Sequence, residues 1–120
     1  MRGVILFAHG SRDPQWRRPV EAVAQRIAQL QPAVQVRCAY LELCEPDLPS
    51  AAAELAQTGV TQLTVLPMFL GAGKHAREDL PLLISQVRAA HPQLDLQLLA
   101  AVGEDPRLLD LIAQIALGGR

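Results

Sequence analysis

His9 and His75 are the two residues of this sequence whose types are best suited to chemistry. A histidine side chain can accept a proton near neutral pH or bind a divalent metal ion. His9 ends an apolar run, and His75 lies much further along the chain in a glycine-containing segment. A single histidine at a strand end is more often a hydrogen-bonded structural residue. A shared role for these two histidines therefore depends on a fold that brings them to one place.

Several residues near these histidines add to the candidate site. Glu42 follows a second apolar run, where its carboxylate could serve as a base or a ligand, and Glu45 is close enough in sequence to compete for that role. The backbone N–H groups of Gly10 and Ser11 can bind an anion at a helix start. The basic residues that flank the histidines are Arg12, Lys74 and Arg77. Charged loop residues are usually only solvated, so it is the clustering that predicts a local anion site.

Apolar runs of strand length alternate with amphipathic stretches of helix length, and this pattern predicts four βα units. The predicted strands are residues 3–9, 34–41, 61–68 and 94–100. The predicted helix starts are Asp13-Pro14, Glu45-Pro46-Asp47, Asp79-Leu80-Pro81 and Asp105-Pro106. Pro19 indicates a kink or a later start of the first helix. A helix that starts at Asp79 leaves His75 in the preceding loop. His91, which precedes Pro92, is predicted to be a surface residue without a functional role.

The predicted strands differ in a way that indicates their order. The first and third are nearly continuous in apolar residues, as strands covered on both faces are. The second and fourth alternate, with Gln35, Arg37, Asp95 and Gln97 among the apolar residues, as half-covered edge strands do. The predicted fold is therefore a three-layer α/β domain with a four-stranded parallel sheet of order 2-1-3-4 and helices on both faces.

This strand order has a topological switch point between strands one and three. Ligands of open parallel sheets bind in the crevice at the carboxyl ends of the strands at such a point. His9 ends strand one and His75 follows strand three, so both are predicted to lie at this crevice. The convergence of two distant histidines is the most informative feature of the sequence.

Composition narrows the class of protein. The chain has 120 residues, of which 50% are apolar, a net charge of −1 and a pI near 6.3. One globular domain over residues 1–120 is expected, with neither nucleic acid nor a membrane as a partner, because no basic tract and no apolar run of bilayer length is present. Cys38 and Cys44 lack CxxC spacing and no export signal precedes them, so we expect free thiols and a cytoplasmic protein.

Four sequence elements together resemble the small-class sirohydrochlorin metal chelatases of the chelatase superfamily. They are His9-Gly10-Ser11-Arg12, Tyr40-Leu41-Glu42, residues 67–75 ending in Gly73-Lys74-His75, and Asp79-Leu80-Pro81. The resemblance covers nearly the whole chain. It implies that His9 and His75 bind the incoming metal and assist its insertion, and that Glu42 contributes. Larger relatives have two similar halves in one chain, so it also implies that this domain equals one such half and forms a homodimer around the macrocycle.

Metal insertion into sirohydrochlorin would suit these residues. Two histidines leave most coordination positions of a divalent ion open, so the ion can pass to the ring, and an imidazole can accept a pyrrole proton. The carboxylates around the macrocycle would explain Arg12, Lys74 and Arg77. The resemblance implies that the metal substrate is Co²⁺ or, as the second candidate, Fe²⁺, for cobalamin or sirohaem synthesis. Ni²⁺ is also compatible. No permanently bound cofactor is expected.

Other classes of protein remain as alternatives at this stage. A non-enzymatic carrier of metal or tetrapyrrole could use the same two histidines, and only turnover would separate it from an enzyme. A histidine phosphatase would use His9 as the phosphoryl acceptor, but it expects an arginine where Ala8 stands. A receiver-like signalling module would need an aspartate at the end of strand three, where Met68 and Phe69 are found.

Overall fold

A computed structural model describes residues 1–118 as one parallel sheet flanked by helices. The strands are β1 (Arg2–Ala8), β2 (Gln35–Tyr40), β3 (Gln62–Pro67) and β4 (Asp95–Leu98). The sheet has the order β2-β1-β3-β4, and all three strand pairs are parallel. The predicted fold class and strand order are confirmed. The apolar central strands identified in the sequence are β1 and β3, whose side chains are covered from both sides.

The helices begin where capping residues were predicted, with one exception. They are α1 (Arg18–Leu30), α2 (Leu48–Gln57), α3 (Lys74–Ala90) and α4 (Pro106–Ala116), with short 3₁₀ helices at Pro14–Arg17 and Val102–Glu104. Asp13, Asp47 and Asp105 each accept a hydrogen bond from a backbone N–H in the following turn, at 2.9, 2.8 and 2.9 Å. Pro19 falls in the first turn of α1, so the first helix has the later start and no kink at this residue.

The predicted start of the third helix is wrong. Helix α3 begins at Lys74, with Gly73 as its N-cap, and Pro81 lies inside the helix. Asp79-Leu80-Pro81 is typical of a helix start, but Asp79 instead pairs with the side chain one turn before it. His75 therefore lies in the first turn of α3 and not in a loop.

Two apolar clusters hold the helices on the sheet. On one face, called here the α2/α3 face, Ile5, Phe7, Leu63 and Val65 pack against residues of α2 and α3. On the other, called the α1 face, Leu6 and Tyr40 pack with Val20, Val23 and Ile27 of α1. Both cysteines belong to the α1 face and neither is paired. Burial, with the nearby charge of Glu21, raises the pKa of the Cys38 thiol.

Helix α4 stands apart from both clusters. None of its residues is buried, and none belongs to either apolar cluster. Between residues 1 and 118, no helix is both long and apolar enough to cross a bilayer.

Candidate functional site

His9 lies at the carboxyl end of β1, where its loop is bonded to the loop that follows β2. The backbone N–H of Leu41 donates to the Ala8 carbonyl at 2.9 Å, and that of Glu42 donates to the His9 carbonyl at 3.0 Å. The sheet pairing thus continues past the ends of both strands. It joins the backbone of Glu42 to that of His9, whereas Glu45 lies three residues further on; both glutamates are exposed. This difference favours Glu42 over Glu45 as the neighbour of His9.

Gly10 makes this close approach of the two loops sterically feasible. Its φ of +102° lies in the left-handed region that disfavours residues with a side chain. A Cβ atom at this position would collide with the backbone carbonyl of Glu42. The next residue, Ser11, accepts a hydrogen bond from the backbone N–H of Asp13 at 3.1 Å. The side chain of Ser11 therefore shapes the turn into the first 3₁₀ helix.

Phe69 contacts the His9 side chain, and sequence reasoning missed it. The centroids of the two rings are 4.5 Å apart and their planes are inclined by 40°. Phe69 is buried, and its ring also makes an edge-to-face contact with that of Phe7 at a centroid distance of 6.0 Å. Because Phe69 follows β3 closely, it connects His9 to the neighbouring central strand. The only sequence signal was an aromatic residue at the same edge of the sheet as His9.

His75 lies in the first turn of α3 with its side chain mostly exposed. Its Nε2 atom is 3.2 Å from Oδ2 of Asp79, one turn further along the helix. A carboxylate in this position restrains the orientation of an imidazole ring. Asp79 is the second functional candidate that sequence reasoning missed, since the i, i+4 spacing has meaning only once the helix is known to begin at Lys74.

The structure distributes the predicted basic residues around this edge. Arg12 is exposed directly after the His9 loop. Lys74 is 4.0 Å from Glu78 in a solvent-exposed pair, which contributes little to stability. Arg77 and Phe69 line the same groove of about 380 Å³, which lies beside the start of α3. Phe69 thus contacts His9 and also lines the groove that Arg77 borders.

Trp16 adds an aromatic surface next to the His9 loop. It is 39% exposed, and its ring centroid is 6.4 Å from that of the buried Tyr40. Burial raises the pKa of Tyr40 to about 12, so its hydroxyl stays protonated at neutral pH. The exposed ring of Trp16 is available to a flat ligand.

The arrangement offers nitrogen ligands and bases from two segments at the carboxyl edge of the two central strands. No hydrogen bond joins His9 to His75 within the part of the chain that is described, and no group of three or more His, Cys, Asp or Glu residues there is arranged to hold a metal ion. The imidazole of His9 packs against Phe69, and that of His75 pairs with Asp79. Two such groups could act in turn on one ligand.

The parallel sheet of order 2-1-3-4 with histidines after both central strands places the chain among the chelatase-like α/β proteins. Its family can be named: the model of the CbiX family matches residues 3–116, and the chain belongs to the CbiX family. The recognition made from the sequence motifs is thereby confirmed.

Individual relatives agree with this assignment. The chain is 37% identical over 81 residues to the sirohydrochlorin cobaltochelatase of Methanopyrus kandleri, a match that covers 68% of this chain and 57% of that protein. Matches to three such relatives each cover less than two thirds of the relative's length. A solved CbiX protein from Marinobacter aquaeolei VT8 superimposes with a TM-score of 0.82 at 34% identity, over 98% of this chain and 95% of that one.

A larger chelatase shares the fold. The sirohydrochlorin chelatase SirB from Bacillus subtilis, solved in complex with cobalt, superimposes with a TM-score of 0.77 at 22% identity. The match covers 98% of this chain but 51% of that one. The chain thus has the length of about half of that protein.

Proposed function

We propose that this protein is a sirohydrochlorin metal chelatase that inserts a divalent metal ion into the macrocycle. Co²⁺ is the first candidate, because the relatives that the chain matches are named sirohydrochlorin cobaltochelatases, and Fe²⁺ is the second. The observation that carries the proposal is the position of His9 at the same edge of the sheet as His75, with its backbone bonded to Glu42 and its ring against Phe69. The product would enter cobalamin or sirohaem synthesis.

In this proposal His9 and His75 bind the incoming ion and release it to the ring nitrogens. Both are neutral imidazoles when they act as ligands, and together they occupy too few positions to retain the ion. Insertion also removes two protons from the pyrrole nitrogens, and an imidazole can accept a proton near neutral pH. Glu42, whose backbone is bonded to that of His9, would receive that proton or balance the charge of the imidazolium.

The residues around the two histidines would bind the macrocycle itself. Arg12, Lys74 and Arg77 are exposed cations that can pair with the peripheral carboxylates of sirohydrochlorin. The backbone N–H groups at Gly10 and Ser11 could bind another carboxylate. The exposed ring of Trp16 could lie against the flat face of the macrocycle.

The proposal extends to domain organisation and partners. Residues 1–120 form a single chelatase-like domain that corresponds to one half of a two-lobed chelatase, in keeping with its coverage of half of SirB. Two copies would then form a homodimer around the macrocycle. A cytoplasmic location is consistent with two unpaired cysteines. The metal ion is a substrate, and no permanently bound cofactor is required.

The test follows the visible spectrum of sirohydrochlorin mixed anaerobically with the protein and Co²⁺, Fe²⁺ or Ni²⁺ in turn. We expect an initial rate above the protein-free control, and a loss of roughly 100-fold or more in His9→Ala and in His75→Ala. His91→Ala is the matched control, because His91 lies at the other end of α3 and should retain the full rate. Binding of ring or metal without any acceleration would contradict the proposal and indicate a carrier.

A second pair of variants separates the two glutamates. Glu42→Gln should lower the rate, whereas Glu45→Gln should not, because only Glu42 is joined to the His9 loop by a backbone hydrogen bond. An equal loss in both variants would contradict the role given to Glu42.

A further inference from the structure

Two leucines at the carboxyl edge of the sheet are exposed, although each directly follows a residue that contacts His9. Leu43 follows Glu42, whose backbone N–H donates to the His9 carbonyl. Leu70 follows Phe69, whose ring lies against the His9 imidazole. Leu43 is 51% exposed and Leu70 is 70% exposed. The two loops that hold His9 therefore each present a large apolar side chain to solvent.

The backbone of Leu43 adopts a conformation that leucine disfavours. Its φ of +70° lies in the left-handed region, where glycine and asparagine are the usual residues. The loop that carries it is closed, since the backbone N–H of Tyr40 donates to the Pro46 carbonyl at 2.9 Å. A leucine in this conformation costs stability, and residues held in this way cluster at functional sites. A ligand therefore explains the side chain of Leu43 better than the turn does.

The backbone of Leu70 is held by the segment that follows β4. The backbone N–H of Gly103 donates to the Phe69 carbonyl at 2.9 Å. A side chain at Gly103 would collide with the Leu70 carbonyl, so the two segments touch through their backbones. The backbone of Leu70 is thus fixed, while its side chain stays exposed.

The two leucines lie on opposite sides of His9 along the edge of the sheet. Their loops follow β2 and β3, which are the two neighbours of β1. At about 4.8 Å between adjacent strands, β2 and β3 are about 10 Å apart, which is similar to the width of a tetrapyrrole ring. Leu43 lines a depression with Asp47 at the start of α2, and Leu70 lines a groove with Ala76 of α3. Both leucines thus border the α2/α3 side of this edge.

We propose that Leu43 and Leu70 support the macrocycle, one against each of two opposite pyrrole rings, so that the centre of the macrocycle faces His9. An apolar pair among exposed cations matches sirohydrochlorin, whose ring is flat and apolar and whose periphery is acidic. Arg12 and Arg77 pair with the periphery while the leucines contact the ring. Because this ligand belongs to the function proposed above, the role of the two leucines rests on that function.

The test measures the binding of metal-free sirohydrochlorin to the full chain by quenching of the fluorescence of Trp16, the only tryptophan. Leu43→Asn and Leu70→Gln should each raise the Kd of the macrocycle roughly five- to tenfold, because each removes an apolar contact. Leu82→Gln is the matched control. Leu82 is 64% exposed, but it lies further along α3 and should bind the macrocycle with an unchanged Kd when substituted.

Leu43→Asn also separates a ligand contact from a structural role. Asparagine suits a positive φ, so this variant should unfold at the same or a higher urea concentration than the unaltered protein while it binds the macrocycle more weakly. A structural role would lower stability together with binding. The ratio of the two Kd values should be the same at low and high salt, because an apolar contact is not screened as the pairing of Arg12 with a carboxylate is.

The outcomes distinguish failure of this proposal from failure of the proposed function. An unchanged Kd in either leucine variant, or an equal rise in Leu82→Gln, overturns the role of the two leucines alone. A change in the mass of either leucine variant by light scattering overturns it too, because the leucines would then contact another copy of the chain. If the unaltered protein binds no macrocycle, both proposals fail. Binding that depends on the leucines without any metal insertion removes only the chelatase proposal.

Discussion

The ring of Phe69 lies against the imidazole of His9, with ring centroids 4.5 Å apart. Phe69 is itself held by the core, because it is buried and packs edge-to-face with Phe7. The orientation of His9 at the end of β1 thus depends on a residue that follows β3. An imidazole packed against a buried ring in this way needs no carboxylate partner to restrain it.

The first prediction concerns this ring contact. Phe69→Leu keeps an apolar side chain but removes the flat surface against which His9 rests. We expect the metal-insertion rate to fall roughly tenfold, because small misplacements of a reacting group are costly. The free energy of unfolding should fall by about 1–2 kcal/mol, as for other core substitutions of reduced volume. The measurements are kcat, KM for the metal, and urea unfolding.

Phe7→Leu is the control for this prediction. Phe7 is fully buried and packs against Phe69, but it belongs to the core beneath His9. It should lose similar stability while retaining most of the rate. Equal losses of rate in the two variants would show that stability alone accounts for the effect of Phe69.

The second prediction concerns the carboxylate beside His75. Asp79→Asn keeps the size of the side chain but removes the charge that lies 3.2 Å from Nε2 of His75. We expect KM for the metal to rise by about two- to tenfold, at the low end of the effects of groups that orient ligands, because the pair is exposed to solvent. Glu78→Gln removes the neighbouring charge paired with Lys74 and should leave KM unchanged. A larger effect from Glu78→Gln than from Asp79→Asn would refute the role of Asp79.

Much of the fold could be predicted because the apolar pattern of each strand indicates whether one or both of its faces are covered by other elements. The continuous apolar runs identified β1 and β3 as central, and the alternation around Gln35 and Asp95 identified the edge strands. The caps Asp13, Asp47 and Asp105 were predictable too, since a helix-capping carboxylate acts within one turn of the chain.

The site could be predicted only in part, because some of its contacts depend on tertiary packing. The position of His9 followed from the strand order, but the contact with Phe69 depends on how the loops after β1 and β3 meet. The start of α3 was placed too late because Asp79 and Pro81 are typical of a first turn. Because α3 in fact begins at Lys74, His75 and Asp79 lie one helical turn apart and can pair. A loop at His75 would not predict this contact.

The third prediction concerns the crossing of the two loops at Gly10. Gly10→Ala should destabilise the fold by about 1–2 kcal/mol from the positive φ alone, and its Cβ would also push against the Glu42 carbonyl. Because this displaces Glu42 from His9, the insertion rate should fall by more than the loss of folded protein explains. Gly71→Ala is the matched control, since a Cβ at Gly71 would meet no other atom and its φ is not positive. A Gly10→Ala protein with the normal rate would contradict the close approach.

The fourth prediction concerns stability against pH at the start of α2. Hydrogen bonds from Ser50 hold the pKa of Asp47 below its usual value of 3.8. A carboxyl group whose pKa is lower in the folded state stabilises the fold fully above its unfolded pKa, and the contribution is lost as the pH falls through the folded pKa. Asp47→Ala should therefore lower the free energy of unfolding by about 1 kcal/mol at neutral pH. The difference from the unaltered protein should narrow as the pH falls below 3.8.

The control is Asp47→Asn, whose side chain still accepts a hydrogen bond but does not titrate. In urea unfolding it should retain most of the stability that the cap contributes, at every pH. A constant difference between the alanine variant and the unaltered protein across this range would mean that the charge of Asp47 plays no part in the cap.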